Sequence, residues 1–144
     1  REFDMVVSVP YVLSMTLALK QPHELNTVIN VGSQYGIVAS NPSLYANGDA
    51  PPIHYSCAKA AVMQLTRELA VRLAEKSVRV NCVAFGGVEG RVDSDFMDRY
   101  ATLTPSNRML KEEEITGPFD FLTSQASSSV TGHTLVADGG WTIW

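Results

Sequence analysis

The chain has 144 residues, of which 45% are hydrophobic and 18% charged, and this composition is typical of a single globular domain. The formal net charge of -4 argues against a nucleic acid partner. No apolar run approaches the ~20 residues that cross a bilayer, so no membrane partner is expected. Because no targeting segment is recognisable, we expect a cytoplasmic protein.

The cysteines and histidines give no sign of a metal site. Cys57 and Cys82 lie in a predicted helix and a predicted strand, and both are expected to be small buried residues in a reducing compartment. His23, His54 and His133 are far apart in the sequence. We therefore expect no bound metal and interpret His54 as a helix-entry residue.

The first two predicted elements are a helix over residues 1–20, ended by Gln21-Pro22, and a strand over residues 26–33. The strand is continuously apolar and rich in β-branched residues, which predicts burial on both faces. Ser33 ends it. The carboxyl ends of strands in such sheets border the ligand crevice, so Ser33 is a candidate site residue.

Residues 34–52 are rich in turn-forming residues and predict a surface loop, and residues 53–76 give the strongest helix prediction. This helix carries Tyr55 and Lys59 four residues apart, and therefore on one face. A neighbouring cation favours the ionised form of a phenol. The spacing predicts that Tyr55 can act as a general acid or base near neutral pH.

The second half of the chain continues the alternation of strands and helices. Residues 78–84 predict a buried strand, parallel to the first because a helix joins the two. The segment Phe85-Gly86-Gly87-Val88 follows, then a polar region, residues 90–107, with a short helix over residues 96–103. A core-facing helix is predicted over residues 111–124, and a last strand over residues 133–137.

Four motifs in this order resemble one family. They are Ser33, the YSCAK sequence from Tyr55 to Lys59, the VRVNCVAFGG sequence from Val78, and the terminal GHTLVADGGW sequence from Gly132. Together they are similar to the C-terminal half of the short-chain dehydrogenase/reductase family, over essentially the whole chain. The resemblance implies an α/β fold, the C-terminal portion of a Rossmann-like doubly wound parallel sheet, with three parallel strands and flanking helices.

The resemblance also implies the chemistry. It implies an NAD(P)-dependent oxidoreductase that passes a hydride between nicotinamide and a small carbonyl or alcohol substrate. Tyr55 would be the acid/base, Lys59 would bind the nicotinamide ribose, and Ser33 would hold the substrate oxygen. Gly86 and Val88 match positions whose backbone approaches the nicotinamide. NAD and NADP are not distinguished. The long loop before Tyr55 resembles that of family members in surface-polysaccharide and sugar pathways, which would imply a sugar-related substrate, and the alternative is a neutral surface insertion.

Two positions depart from the family pattern, and one half of the family fold is not in the sequence. Pro10 stands where the family has an asparagine that holds a relay water, and Phe85 stands where it has a proline. No GxxxGxG motif is present, so residues 1–144 are expected to form one partial domain without the dinucleotide-binding half. The alternative is a truncated, inactive protein that acts in oligomerisation or binding.

Two surfaces of the predicted fold need a partner. The exposed edge of the Thr27 strand would leave backbone groups unpaired, so we expect another chain or segment to cover it. The two long helices are apolar on more than one face, which predicts a homodimer. Trp141 and Trp144 near the C-terminus could supply a second interface and hence a homotetramer.

Overall fold

The computed structural model describes residues 1–20, 24–45, 48 and 50–144. Its centre is a three-stranded parallel sheet with the order β1-β2-β3. The strands are β1 (Thr27–Val31), β2 (Arg79–Phe85) and β3 (Thr134–Ala137). The helices are α1 (Val9–Lys20), α2 (Ile53–Leu73), α3 (Ser94–Thr102) and α4 (Thr116–Thr123).

The predicted sheet is confirmed, with small shifts at its boundaries. The core of the first strand lies where it was predicted, and the second begins one residue later than expected. Val78 precedes β2 because its N–H donates to Leu73 O at 3.3 Å, which ties the end of α2 to the start of the strand. The parallel pairing follows from the long helical connections between successive strands.

Side chains of β2 alternate between two helical layers. Val80 packs with Leu69 and Leu73 of α2. On the opposite face, the ring of Phe85 lies 5.7 Å from that of Phe119 in α4. Successive residues of a strand point to opposite faces, so α2 and α4 cover the two sides of the sheet. Helices on both faces were predicted, and Phe85 has a packing role at its departure from the family pattern.

The N-terminal helix accommodates Pro10 through a change in helical pitch. A π-helical turn, Asp4–Ser8, comes before α1, and Val9 N–H donates to Asp4 O, five residues back. A proline lacks the N–H of the normal helical bond, and its ring crowds the carbonyl four residues back. The wider π turn moves that carbonyl away, so the predicted helix over residues 1–20 continues through Pro10.

One burial prediction is wrong, and some predicted turn residues lie outside the described part. Cys57 is exposed on α2, whereas Cys82 is buried as expected. Phe121 is 40% exposed, and among the apolar residues of α4 only Leu122 is fully buried. The predicted helix over residues 111–124 begins as a 3-10 helix, Glu112–Ile115, before α4. The helix stop Gln21-Pro22 and the turn residues Asn47 and Asp49 lie outside the described residues.

A second apolar cluster lies beyond the carboxyl ends of the strands. Its buried members are Leu44, Tyr100, Met109 and Trp141, and the rings of Tyr100 and Trp141 stack with centroids 4.4 Å apart. These residues come from the loop before α2, from α3 and the segment after it, and from the C-terminal tail. The cluster therefore holds α3 and the loop together over the end of the sheet.

The outer edge of β1 is open in the described part of the chain. Gly32 N–H donates to Val83 O and Asn26 O accepts from Arg79 N–H, so even-numbered residues bond to β2. Odd-numbered residues turn their backbone groups outward. No described strand pairs with them, and the expectation that another chain or segment covers this edge stays a prediction.

Of the helices in the described part, none combines the length and the hydrophobicity that a bilayer-spanning segment requires.

Candidate active site

Ser33 lies at the carboxyl end of β1 with its hydroxyl held in place. It caps a 3-10 helix, Gln34–Gly36, and its Oγ accepts a hydrogen bond from Tyr35 N–H at 3.2 Å. The residue is buried but borders a cavity. Because Oγ is the acceptor in this cap, the hydroxyl proton remains available for donation to a ligand oxygen.

Tyr55 enters the same cavity from the first turn of α2. Pro52 caps this helix, and Tyr55 N–H donates to Pro52 O at 2.9 Å. The cavity has a volume of about 280 Å³. It is lined by Ser33, Gln34, Tyr35, Pro51, Pro52, Tyr55, Gly86 and Gly87. The structure therefore brings the predicted Ser33, Tyr55 and Gly86 to one concave surface.

Gly36 sets the separation between this serine turn and α2. A Cβ on Gly36 would lie 2.7 Å from the carbonyl carbon of Lys59 and 2.8 Å from its oxygen. Both are backbone atoms in the middle of a helix, so neither can move alone. Only a glycine permits this approach, and the close contact places Ser33 beside the turn of α2 that carries Tyr55 and Lys59.

Lys59 lies beside Tyr55, but its ammonium donates its hydrogen bond to the backbone of β1 and not to the Tyr55 phenol. Nζ is 5.7 Å from the centroid of the Tyr55 ring and donates to Val31 O, at the open edge of β1, at 2.8 Å. Burial lowers the pKa of the ammonium, and the negative charge of Glu2 opposes this shift. Lys59 lines the groove along β1 rather than the cavity that holds Ser33 and Tyr55.

The glycines after β2 are required by the protein's own packing. A Cβ on Gly86 would lie 2.8 Å from Asp138 Cα and 2.9 Å from Tyr100 Oη. Val88 does not line the cavity, and it forms a parallel bridge with Leu110. In this bridge Leu110 bonds to Gly87 O and to the N–H of the residue after Val88. The N–H and C=O of Val88 itself take no part in the bridge and point away from Leu110.

Four polar residues that were not predicted as site residues form a hydrogen-bonded network at one wall of the cavity, where Gln34 and Tyr35 are the two that line it. Tyr35 Oη and Tyr45 Oη are 2.6 Å apart. Tyr100 Oη donates to Gln34 Oε1 at 2.9 Å and accepts from Gly87 N–H at 2.8 Å. This network joins the serine turn, the loop before α2, the helix α3 and the glycine turn. The one sequence signal for it was that Gln34 and Tyr35 directly follow Ser33.

Burial keeps the phenols of this wall protonated. It raises the pKa of Tyr100 to about 12. It also raises the pKa of Tyr35, where the hydrogen bond with Tyr45 adds to the effect, and it raises the pKa of Tyr45. At neutral pH these groups therefore serve as neutral hydrogen-bonding groups, and none of the three is suited to act as a base.

The described residues contain no group of three or more His, Cys, Asp or Glu side chains that could hold a metal ion. His54 lies in the first turn of α2, and its Nε2 is 2.6 Å from Glu2 Oε2. This contact ties the N-terminal segment to α2 beside Tyr55.

Comparison with known proteins gives consistent matches. A family model described as "Enoyl-(Acyl carrier protein) reductase" matches residues 12–142. The chain is 35% identical to galactitol 2-dehydrogenase (L-tagatose-forming) of Cereibacter sphaeroides over 123 residues, which cover 81% of this chain and 46% of that protein. It is 37% identical to cis-4-hydroxycyclohexanecarboxylate dehydrogenase of Sinomonas cyclohexanicum over 130 residues, with 88% of this chain and 52% of that protein covered.

The fold is also similar to solved structures. A short chain dehydrogenase from Leptospira borgpetersenii with bound NAD+ superposes with a TM-score of 0.85 at 33% identity, over 97% of this chain and 56% of that one. The chain thus spans about half the length of the curated relatives it matches.

Proposed function

The chain belongs to the short-chain dehydrogenase/reductase family, and we propose that the protein interconverts an alcohol and its carbonyl compound with NAD or NADP as the hydride carrier. One observation carries this proposal. A single cavity joins the hydroxyl of Ser33, the phenol of Tyr55 and the glycine turn after β2, with the ammonium of Lys59 beside the Tyr55 ring.

In the proposed reaction the chain's own residues handle the proton and the substrate oxygen. Ser33 donates a hydrogen bond to that oxygen, because its Oγ already accepts from Tyr35 N–H. Tyr55 gives a proton to the oxygen in reduction and takes it in oxidation. The ammonium of Lys59 lowers the electrostatic cost of the phenolate that forms. The bound nicotinamide supplies or accepts the hydride.

The residues present fit the nicotinamide end of the cofactor. The outward N–H and C=O of Val88 offer one donor and one acceptor, which match the two polar groups of a carboxamide. Lys59 Nζ lies at an open edge and has two further N–H donors for ribose hydroxyls. The sequence has no glycine-rich phosphate motif, so these residues account for the nicotinamide end alone.

We propose a polyhydroxylated substrate, in agreement with the expectation of a sugar-related one. Gln34 and Tyr35 line the cavity beside Ser33 and Tyr55 and offer an amide and a hydroxyl, and Tyr45 Oη lies 2.6 Å from Tyr35 Oη. Such groups recognise substrate hydroxyls by hydrogen bonding. The name of one relative, a galactitol 2-dehydrogenase, gives a polyol as its substrate.

Nucleotide-dependent stabilisation tests the proposed cofactor. Thermal unfolding is measured with NADH, NADPH, reduced nicotinamide mononucleotide and ADP-ribose. NADH or NADPH at about 100 times its dissociation constant should stabilise the fold by about 2.7 kcal/mol. The mononucleotide should also stabilise it, and ADP-ribose should do so less. Absence of any shift, or equal stabilisation by ADP-ribose and NADH, would contradict the proposal.

We further propose that α1 forms an interface between two copies of the chain. The residues of α1 that are buried are the small Ser14 and Ala18, while large apolar side chains remain exposed. The exposed ones are Val9, Tyr11, Val12, Leu13, Leu17 and Leu19. On α2, Ile53 and Val71 are 83% and 76% exposed. Apolar surface of this extent on two helices favours an isologous dimer.

Sedimentation equilibrium at micromolar concentration should therefore detect a dimer or a tetramer. Val12→Lys places a charge on the α1 face and should shift the protein towards monomer, because a buried unpaired charge is costly. Ser129→Lys, which adds the same charge at an exposed loop, is the matched control. A wild-type protein that is strictly monomeric would exclude this interface.

A further inference from the structure

A large cavity lies at the amino-terminal end of the sheet, opposite Ser33 and Tyr55. It has a volume of about 670 Å³ and is bordered by the starts of β1 and β2, the end of α2 and the segment after α4. Its polar lining includes Asn26, Thr27, Arg79, Thr123, Gln125 and Ser128. No acidic residue is among its described lining residues, although the chain has 15 Asp and Glu.

The positive charge at this cavity has no anionic partner among the described residues. Arg79 is partly buried, and its guanidinium donates to Ser127 Oγ at 3.1 Å, Val130 O at 3.4 Å and Leu122 O at 2.9 Å. All three acceptors are neutral. Three of the five N–H donors are used in this way, and two remain. A partly desolvated charge without a counterion favours the binding of an anion.

An unsatisfied hydroxyl lies beside the same cavity. Thr27 Oγ1 is buried and has no hydrogen-bond partner within the described residues. Buried polar atoms are nearly always bonded, so one without a partner indicates a missing ligand or water. Thr27 begins β1 and pairs with Arg79 in the sheet register, which places the hydroxyl-bearing residue and the arginine on adjacent strands.

We propose that this cavity is a binding site for a tetrahedral oxyanion, a phosphate group in particular. Two free guanidinium donors, the Thr27 hydroxyl and the neighbouring amide and hydroxyl side chains match an ion that accepts several hydrogen bonds at once. The site is at the end of the strands remote from the nicotinamide residues Tyr55, Lys59 and Val88. It is therefore separate from the proposed redox site, and it stands or fails independently of that proposal.

Thermal unfolding of the chain with sodium phosphate, against sodium chloride of equal ionic strength, tests the proposal. About 50 mM phosphate should raise Tm by about 5 °C more than chloride, as expected for a millimolar dissociation constant. Sodium sulfate should act in the same direction, because it presents the same tetrahedral oxygens. An equal Tm in phosphate and chloride would overturn the proposal.

Gln125→Glu is the sharpest variant, because it keeps the shape of the side chain and places a carboxylate in the lining. It should abolish the phosphate-dependent rise in Tm, whereas Gln64→Glu, the same change on an exposed position of α2, should leave it intact. Arg79→Gln should also abolish the rise, with the exposed Arg67→Gln as its control. Since Arg79 ties loop carbonyls to the sheet, Gln125→Glu keeps the test independent of folding. A full phosphate response in Gln125→Glu would overturn the assignment.

A last comparison identifies the source of the phosphate group. Ribose 5-phosphate and inorganic phosphate are titrated against the wild-type chain at equal concentrations. A larger shift with ribose 5-phosphate supports a phosphomonoester as the ligand, and equal shifts support the free ion. Stabilisation by ribose alone, at the same concentration, would contradict recognition of the oxyanion.

Discussion

Replacement of Tyr55 by phenylalanine should reduce turnover about 1,000-fold while the fold is retained. Proton transfer by a positioned side chain contributes about 10²- to 10⁴-fold to rate, and the variant loses only the phenol oxygen. Tyr55 is partly exposed at the cavity and lies in the first turn of α2, where its backbone bond to Pro52 is unaffected. The measurement is the appearance of reduced nicotinamide with galactitol as the trial substrate.

Ser129→Ala is the control for this prediction. It removes a hydroxyl from an exposed loop at the end of the sheet opposite the cavity, and should leave turnover and Tm unchanged. If Tyr55→Phe retains activity within tenfold of the wild type, the role given to Tyr55 is wrong. Circular dichroism and Tm of both variants separate a chemical effect from loss of fold.

Gly36→Ala should destabilise the protein by about 3 kcal/mol. The new Cβ would lie less than 3 Å from two backbone atoms of Lys59 and from the side chain of Met63. Since α2 is packed against the sheet along its length, relief requires the serine turn to move away from the helix. The variant should therefore also lose turnover, because Ser33 and Tyr55 would separate. Urea unfolding measures the first effect, and the nicotinamide assay measures the second.

Gly117→Ala provides the control for the same chemical change. Gly117 lies in the first turn of α4, and apart from its chain neighbours and its own helix backbone no atom lies within 4 Å of a Cβ built on it. This substitution should keep the free energy of unfolding within about 0.5 kcal/mol of the wild type, because the helical preference of alanine is offset by the contact of its Cβ with Pro118. Equal changes in the free energy of unfolding for the two substitutions would show that the close contact at Gly36 does not determine the effect of an added Cβ.

The sheet and the main helices were predictable because their signals are local. The apolar run of Thr27–Val31 and the long helix that starts at Ile53 are visible in the pattern of side chains, and the helical connections imply parallel strands. The exposure of Cys57 was not visible, because α2 is apolar on several faces and only packing decides which faces the sheet. The response to Pro10, a π turn rather than a break, likewise depends on the packing of the N-terminal segment.

Some residues of the candidate site were likewise predictable from local sequence signals, and some of its contacts were not. Tyr55 and Lys59 follow from helical spacing, and Ser33 follows from the end of a strand. The bond between Lys59 and Val31 O was not predicted, since helical spacing places Lys59 beside Tyr55 but does not specify which backbone carbonyl its long side chain reaches. The contact between the Tyr35 and Tyr45 hydroxyls depends on the path of an irregular loop, for which the sequence has no periodic signal. The four polar wall residues are therefore a result of the structure alone.

The parallel order of the strands has a consequence for biosynthesis. Thr27 pairs with Arg79 and Cys82 pairs with Thr134, so each pair of neighbours is separated by roughly fifty residues of chain. No hairpin can form early. The middle strand, whose interior residues are all buried in the finished sheet, lacks one of its two partner strands until β3 has been synthesised. Aggregation during synthesis should therefore be the main obstacle to recombinant yield, and slower translation at low temperature should relieve it.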